Sequence, residues 1–204
     1  MSDSAPRGPW TPANVVTVVR IALIPVFLVL VSLSVPPTGA VSPSRMAVAV
    51  FFALLAMTDK LDGYLARSRG EVTTFGKFLD PIADKLVVTT ALLVLLVWQV
   101  VPVWMVVVII AREFLVSGIR MVVATQGVVI AASGLGKWKT ATTMCAIVGY
   151  LLAYSLPDGG LASFLGVCST LALWAAVILT IVSGLDYFMK SKDYLLVDAG
   201  EPRG

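Results

Sequence analysis

From Asn14 to Val35 the chain carries a single charged residue, Arg20, and comparable apolar runs recur along most of the remaining sequence. A helix needs roughly 20 consecutive apolar residues to cross the hydrocarbon core of a bilayer, and several of these runs approach that length. Backbone polar groups cannot be left unpaired in lipid, so such runs admit little besides helices. The composition agrees, because 58% of the 204 residues are hydrophobic and only 13% charged, with a mean hydropathy of +0.94. A soluble domain carries roughly 25% charged residues and could not hide so much apolar surface at this size. The expectation is an all-α integral membrane protein, a six-transmembrane-helix bundle with a short N-terminal interfacial segment.

The net charge is +3, but the distribution of the basic residues says more than their sum. Segments 31–44, 99–104 and 154–163 contain no Lys or Arg, whereas Lys and Arg recur at the N-terminal side, around 59–85, near 112–139 and at the C-terminus. By the positive-inside rule the three basic-free segments are external and both termini cytoplasmic. Arg45 is the one basic residue near an external segment, close enough to a helix end to snorkel. Residues 1–13 read as an N-terminal arm, 14–189 as the six-span domain and 190–204 as a cytoplasmic tail. The spans are expected at Asn14–Val35, from about Arg45 past Asp62, from Gly76 or Asp80 through Trp98, from about Val103, at about 140–156 and at about 162–188. Residues 125–139 read as a Gly-rich loop, and Pro81 is expected in the first turn of the third helix. Thr17 and Arg20 are costly to leave facing lipid and should point towards headgroups or a site. Arg112 and Glu113, set within an apolar run, should face the bundle interior for the same reason.

Two cysteines, Cys145 and Cys168, lie in apolar runs without disulfide or zinc spacing and read as small buried hydrophobes. There is no histidine. Imidazole bases and His-ligated metals are thereby excluded, and carboxylates remain as the acid–base and ligand groups. The acidic residues that matter lie between Asp59 and Asp84. Asp59 and Asp62 are three residues apart and Asp80 and Asp84 four apart, so each pair lies on one helix face. Two such faces turned together make a four-carboxylate cup, which repels itself unless cations neutralise it. Hard oxygen ligands of this kind suit Mg²⁺, Mn²⁺ or Ca²⁺. Any one of these aspartates alone would read as a solvated helix end. Gly63 and Gly76, however, leave room for a ligand to approach backbone, and Arg67 can fork onto phosphate oxygens. The combination describes a pyrophosphate held between divalent metals and an arginine, a plan for phosphoryl or phosphatidyl transfer.

The pattern Asp59-x2-Asp62-Gly63-x2-Ala66-Arg67-x8-Gly76-x3-Asp80-x3-Asp84 resembles the signature of the CDP-alcohol phosphotransferase family, with eight fixed positions over 26 residues. The resemblance implies a single displacement on CDP-diacylglycerol at the cytoplasmic face of a bacterial inner membrane. It also implies Mg²⁺ or Mn²⁺, two per active site, a groove open to membrane lipid and a homodimer, with no nucleic-acid partner. Asp59, Asp62 and Asp80 would hold the metals, and Asp84 would reach one of them and act as general base. Asn14, Thr17, Gly63, Arg67, Thr73 and Gly76 would contact the CDP moiety. Pro12-Ala13-Asn14-x2-Thr17-x2-Arg20 departs from the family's more usual Pro-Asn adjacency. Arg112-Glu113-Phe114, Val116-Ser117, Arg120 and Gly136-Lys137-x-Lys139-Thr140 resemble the branch that uses glycerol 3-phosphate.

Arg112, Arg120, Lys137 and Lys139 are four cations on two elements of the cytoplasmic side, suited to a phosphate dianion on the acceptor. A plainer account of the two lysines is positive-inside topology, an account that fits Arg112 less well. Glycerol 3-phosphate suits these cations better than free serine or choline, though inositol 3-phosphate would suit them too. Family members that use inositol 3-phosphate or make cardiolipin are therefore the nearest rivals. A divalent-cation transporter is the rival of another class. That reading asks for ionisable groups near the bilayer midplane on several helices, whereas these carboxylates cluster towards one face.

Overall fold

The computed structural model describes residues 11–34, 42–69, 74–128 and 134–195, and within these the side chains of all but Ala13, residues 59–69, Thr74, Lys77, Asp193 and Leu195. The described residues form six helices and no strand: α1 Pro12–Leu33, α2 Pro43–Arg69, α3 Thr74–Val97, α4 Val103–Thr125, α5 Gly134–Ala153 and α6 Gly160–Leu195. The expectation of an all-α architecture is met. Two of the helices, over Asn14–Leu33 and Gly160–Lys192, are long and apolar enough to cross a membrane, and α2 is apolar over Pro43–Thr58. α3 and α4 are interrupted by Asp80, Asp84 and Lys85 and by Arg112, Glu113 and Arg120. Leu33 at 72% exposure and Val97 at 78% show apolar side chains standing open on the outside of their helices, a surface that suits lipid and not water.

The chain divides into two compact units, Met1–Val100 with Ile147–Val167, and Val101–Ala146 with Cys168–Gly204. In the first, α1, α2 and α3 pack on one another. α1 opens with Thr11 as N-cap, its side chain accepting from the Asn14 amide at 3.3 Å, and with Pro12 in the first turn, where no hydrogen bond is lost. Val48, Phe52 and Leu55 on α2 and Ala83, Val87, Ala91 and Leu95 on α3 recur at helical spacing and are buried. Phe27 of α1 joins them, its ring 5.7 Å from that of Phe52 and 6.4 Å from that of Phe51. Arg45 does not snorkel. It is buried, and its guanidinium donates to the Tyr154 carbonyl just past the end of α5, where the helix dipole favours a cation.

In the second unit, α6 presents one continuous buried face: Ser169, Leu173, Ala176, Thr180, Ser183, Tyr187 and Ser191. That face is mostly polar from Thr180 onward, and the helix continues past the expected end near residue 188 to Leu195. α4 buries Met105, Val106, Ile109, Val116 and Val123 and stops at Gly127, whose φ of 75° a side chain would resist.

Three further sequence expectations differ from the structure. Pro81 lies well inside α3, because the helix starts at Thr74. Gly136, Lys137 and Lys139 belong to the first turns of α5 and not to a loop, since α5 begins at Gly134. Glycine's low helix propensity suggested a break there, and tertiary contacts override that preference. Cys145 and Cys168 are exposed, because on helices apolar all round an apolar neighbourhood no longer implies an interior. Residues 70–73 and 129–133, and with them Thr73, lie outside the described residues, as does the N-terminal arm before Thr11.

Candidate functional site

Asn14, Thr17 and Arg20 repeat every three residues along one face of α1, and all three are buried. The Thr17 hydroxyl donates to Asp80 Oδ1 at 2.8 Å. One turn further on, Arg20 Nη1 donates to Asp84 Oδ1 at 2.9 Å, an ion pair between a side chain 2% exposed and one 49% exposed. These two rungs tie α1 to α3 and show the helices running in the same direction. They also fix both α3 carboxylates from behind. Gly76, in four-residue register below Asp80, is buried. Arg20 was expected to point towards headgroups or a site; the bond to Asp84 gives it a definite place, and its cost within an apolar run was the signal.

The second carboxylate pair enters through the backbone alone. Asp62 lies seven residues before the end of α2 and Asp80 six after the start of α3, while Asp59 and Asp84 each lie ten residues from those ends. At about 1.5 Å per residue, the two pairs occupy matching heights on consecutive, packed helices. The side chains of Asp59, Asp62 and Arg67, and the space at Gly63, fall outside the described set, so the closing of the four-carboxylate cup does too. No cluster of three or more acidic, His or Cys side chains suited to a metal occurs among the described residues.

The second unit brings the four expected cations together. Arg112, Arg120, Lys137 and Lys139 line one cavity of about 430 Å³, with Glu113, Val116, Gly136, Thr140 and Tyr187. Arg112, Val116 and Arg120 share a face of α4 at four-residue spacing. Lys139 comes from α5, its side chain 7% exposed, and forms an ion pair with Glu113. Arg112 Nη2 donates to Ser183 Oγ at 3.0 Å, and Nη1 lies 3.7 Å from Glu113 Oε1. The Arg120 guanidinium sits 5.7 Å from the centre of the Tyr187 ring, within cation–π reach. Thr143 caps the Lys139 carbonyl at 2.8 Å, steadying the turn of α5 that presents the lysine. A cavity with four donor-only cations is an anion site in chemical terms. Glu113, Ser183 and Tyr187 were not expected there. Glu113 follows Arg112 in sequence and could have been suspected as its partner, but nothing local marks Ser183 or Tyr187.

With both constellations in view, the comparisons with known proteins become decisive. The sequence profile of the CDP-alcohol phosphatidyltransferases matches residues 10–182. The chain belongs to this family. The match runs from the edge of α1 into α6 and so takes in the Asp80–Asp84 pair, the cation cavity up to Thr140, and Thr180. Among similar proteins, the CDP-diacylglycerol–glycerol-3-phosphate 3-phosphatidyltransferase of Bacillus subtilis is 45% identical over 189 residues, covering 89% of this chain and 95% of the relative. The protein of the same name from Rickettsia bellii is 39% identical over 181 residues, 89% of this chain and 95% of its own length. The Haemophilus influenzae protein of that name is 34% identical over 187 residues, with coverages of 88% and 92%.

Proposed function

We propose that this phosphatidyltransferase moves the phosphatidyl group of CDP-diacylglycerol onto glycerol 3-phosphate, giving phosphatidylglycerophosphate and CMP. The observation that carries the choice of acceptor is the convergence of Arg112, Arg120, Lys137 and Lys139 on one cavity. A free alcohol such as serine or choline would have no use for four cations, whereas a phosphate dianion would. The relatives named for the same reaction, at 34–45% identity over most of the chain, support the same reading.

In this reading all six helices cross the inner membrane, residues 14–189 act as one domain, and the reacting groups face the cytoplasm. Asp59, Asp62, Asp80 and Asp84 hold Mg²⁺ or Mn²⁺, two ions per site. The residues fit such ions: Asp80 and Asp84 are hard oxygen donors one turn apart, both exposed, and braced through Thr17 and Arg20. When bound, the ions neutralise pyrophosphate charge and polarise the phosphorus–oxygen bond that breaks. Asn14, Thr17, Gly63, Arg67, Thr73 and Gly76 serve the CDP moiety, Arg67 as a fork on phosphate oxygens. Asp84 takes the proton of the attacking primary hydroxyl, and Arg20 fixes the direction in which that carboxylate points. The four cations hold the acceptor by its phosphate and leave its far hydroxyl free to react. The active assembly is a homodimer.

The test is to incubate the purified protein with CDP-diacylglycerol, Mg²⁺ and a panel of acceptors, following CMP release and the lipid formed. Phosphatidylglycerophosphate from glycerol 3-phosphate, lost in chelator and regained with Mg²⁺, is expected. Turnover with inositol 3-phosphate alone, or with no acceptor at all, would overturn the assignment.

A further inference from the structure

Two residues in the cation cavity have no evident part in holding a phosphate. Glu113 is an anion placed among groups that attract anions. Its Oε1 meets Lys139 and lies near Arg112. Tyr187 is 4% exposed, and its hydroxyl is buried without a hydrogen-bond partner among the described residues. Its ring is already engaged by Arg120, so the position of the phenol is set, but the oxygen at its tip satisfies nothing among the described residues. Buried polar atoms are nearly always paired, and one left unpaired on a residue that lines a cavity calls for a ligand to complete it.

The chemistry of the lining divides the cavity in two. Arg112, Arg120, Lys137 and Lys139 can only donate, which suits phosphate oxygens. An alcohol hydroxyl both donates and accepts, so its complement is one acceptor and one donor. Among the described residues, Glu113 is the only carboxylate and Tyr187 the only phenol on this wall. Pairing with Lys139 lets Glu113 stay beside a bound phosphate that would otherwise repel it. We infer that Glu113 and Tyr187 read the acceptor's second, non-attacking hydroxyl, Glu113 accepting its proton and Tyr187 donating to its oxygen. The cavity thereby selects a phosphorylated polyol over a phosphorylated simple alcohol. This rests on the reading of the cavity as the acceptor site.

The experiment compares glycerol 3-phosphate with 3-hydroxypropyl phosphate, which keeps the phosphate and a primary hydroxyl but lacks the middle one. kcat/KM for each acceptor is measured for the wild type, Tyr187→Phe and Glu113→Gln, with Mg²⁺ and saturating CDP-diacylglycerol. The wild type is expected to favour glycerol 3-phosphate by about ten- to a hundredfold, the usual effect of stranding a polar group in a buried site. In Tyr187→Phe the loss on glycerol 3-phosphate should exceed the loss on the analogue by about tenfold. Its Tm should not fall, because the hydroxyl removed bonds to nothing among the described residues. Glu113→Gln should narrow the preference in the same way. Equal losses on both acceptors in both variants, or a wild type indifferent to the missing hydroxyl, would overturn the inference and leave the proposed reaction standing. Failure of the wild type to release CMP with either acceptor would instead remove the proposed function and this inference with it.

Discussion

In the α1–α3 unit the ionisable groups are held from behind and presented outward: Arg20 is buried at 2% exposure, while the Asp84 carboxylate it grips remains 49% exposed. In the α4–α6 unit the ionisable groups are themselves the walls, with Lys139 drawn inward against Glu113 and Arg112 anchored to Ser183. On the proposed reading, the difference follows from what each surface has to receive. Carboxylates that gather a hydrated divalent cation must stay open to it and need only be aimed. Cations that select an acceptor by its phosphate gain from partial burial, since a charge-assisted hydrogen bond strengthens as water is excluded. The two regions should therefore fail differently when damaged, one in turnover and the other in acceptor affinity.

The largest effect is expected from Asp80→Asn, which removes a charged ligand while keeping shape and the bond from Thr17. Turnover should fall by on the order of a thousandfold or more, with acceptor KM little changed. Turnover within a few-fold of wild type would mean that the acidic face has another purpose. Next comes Arg120→Gln. Losing one charge-assisted contact to phosphate costs about 1.5–3 kcal/mol, so KM for glycerol 3-phosphate should rise roughly ten- to a hundredfold while CDP-lipid affinity stays close to wild type. If CDP-lipid affinity falls instead, the cation cavity belongs to the donor and the contrast between the regions collapses.

These regions also differed in how much the sequence disclosed. The acidic face is written within 26 consecutive residues, because two helices joined by a short connection carry it, and spacing alone puts each carboxylate pair on one side. What spacing could not show is the bracing from α1, where Thr17 and Arg20 lie more than sixty residues from their partners. The cavity is gathered from residues 112–120, 136–140 and 187. Arg112 could be named because charge inside an apolar run is conspicuous and the lysines because they cluster on the basic side of the chain, whereas Tyr187 and Ser183 look like ordinary members of a long apolar helix. The helix ends were misjudged where local preference was read too literally, at Gly134 and Gly136 and around Pro81. There packing decides, and packing is the part a single sequence does not display.

A third and smaller effect sharpens the comparison on the acidic side. Thr17→Val keeps the volume but removes the donor to Asp80, leaving the carboxylate in place and no longer aimed. A lost bond to a charged acceptor is worth about 1.5 kcal/mol, and kcat should fall by about tenfold without a rise in acceptor KM. Restored turnover in Thr17→Ser, but not in Thr17→Val, would attribute the effect to the hydroxyl. A matching rise in acceptor KM would instead mean that Thr17 acts on something other than Asp80.

The smallest effect should come from Gly184, which lies on α6 one residue after Ser183. A Cβ added there would meet Arg112 Cγ at 3.1 Å, closer than ordinary van der Waals contact. The glycine is thus the gap through which the stem of Arg112 passes on its way to the cavity and to the Ser183 hydroxyl. Gly184→Ala should strengthen the helix itself by roughly 1 kcal/mol through intrinsic propensity while pushing Arg112 aside by a few tenths of an ångström. Stability and function are then expected to move in opposite directions: Tm equal or higher, and acceptor KM raised by about two- to fivefold, because a displaced guanidinium keeps its charge but loses bond geometry. The KM effect should vanish in an Arg112→Gln background, where no guanidinium remains to be displaced. If it persists there, Gly184 matters to α6 itself and not to Arg112, and the cavity depends less on the exact seat of that arginine than the bond to Ser183 implies.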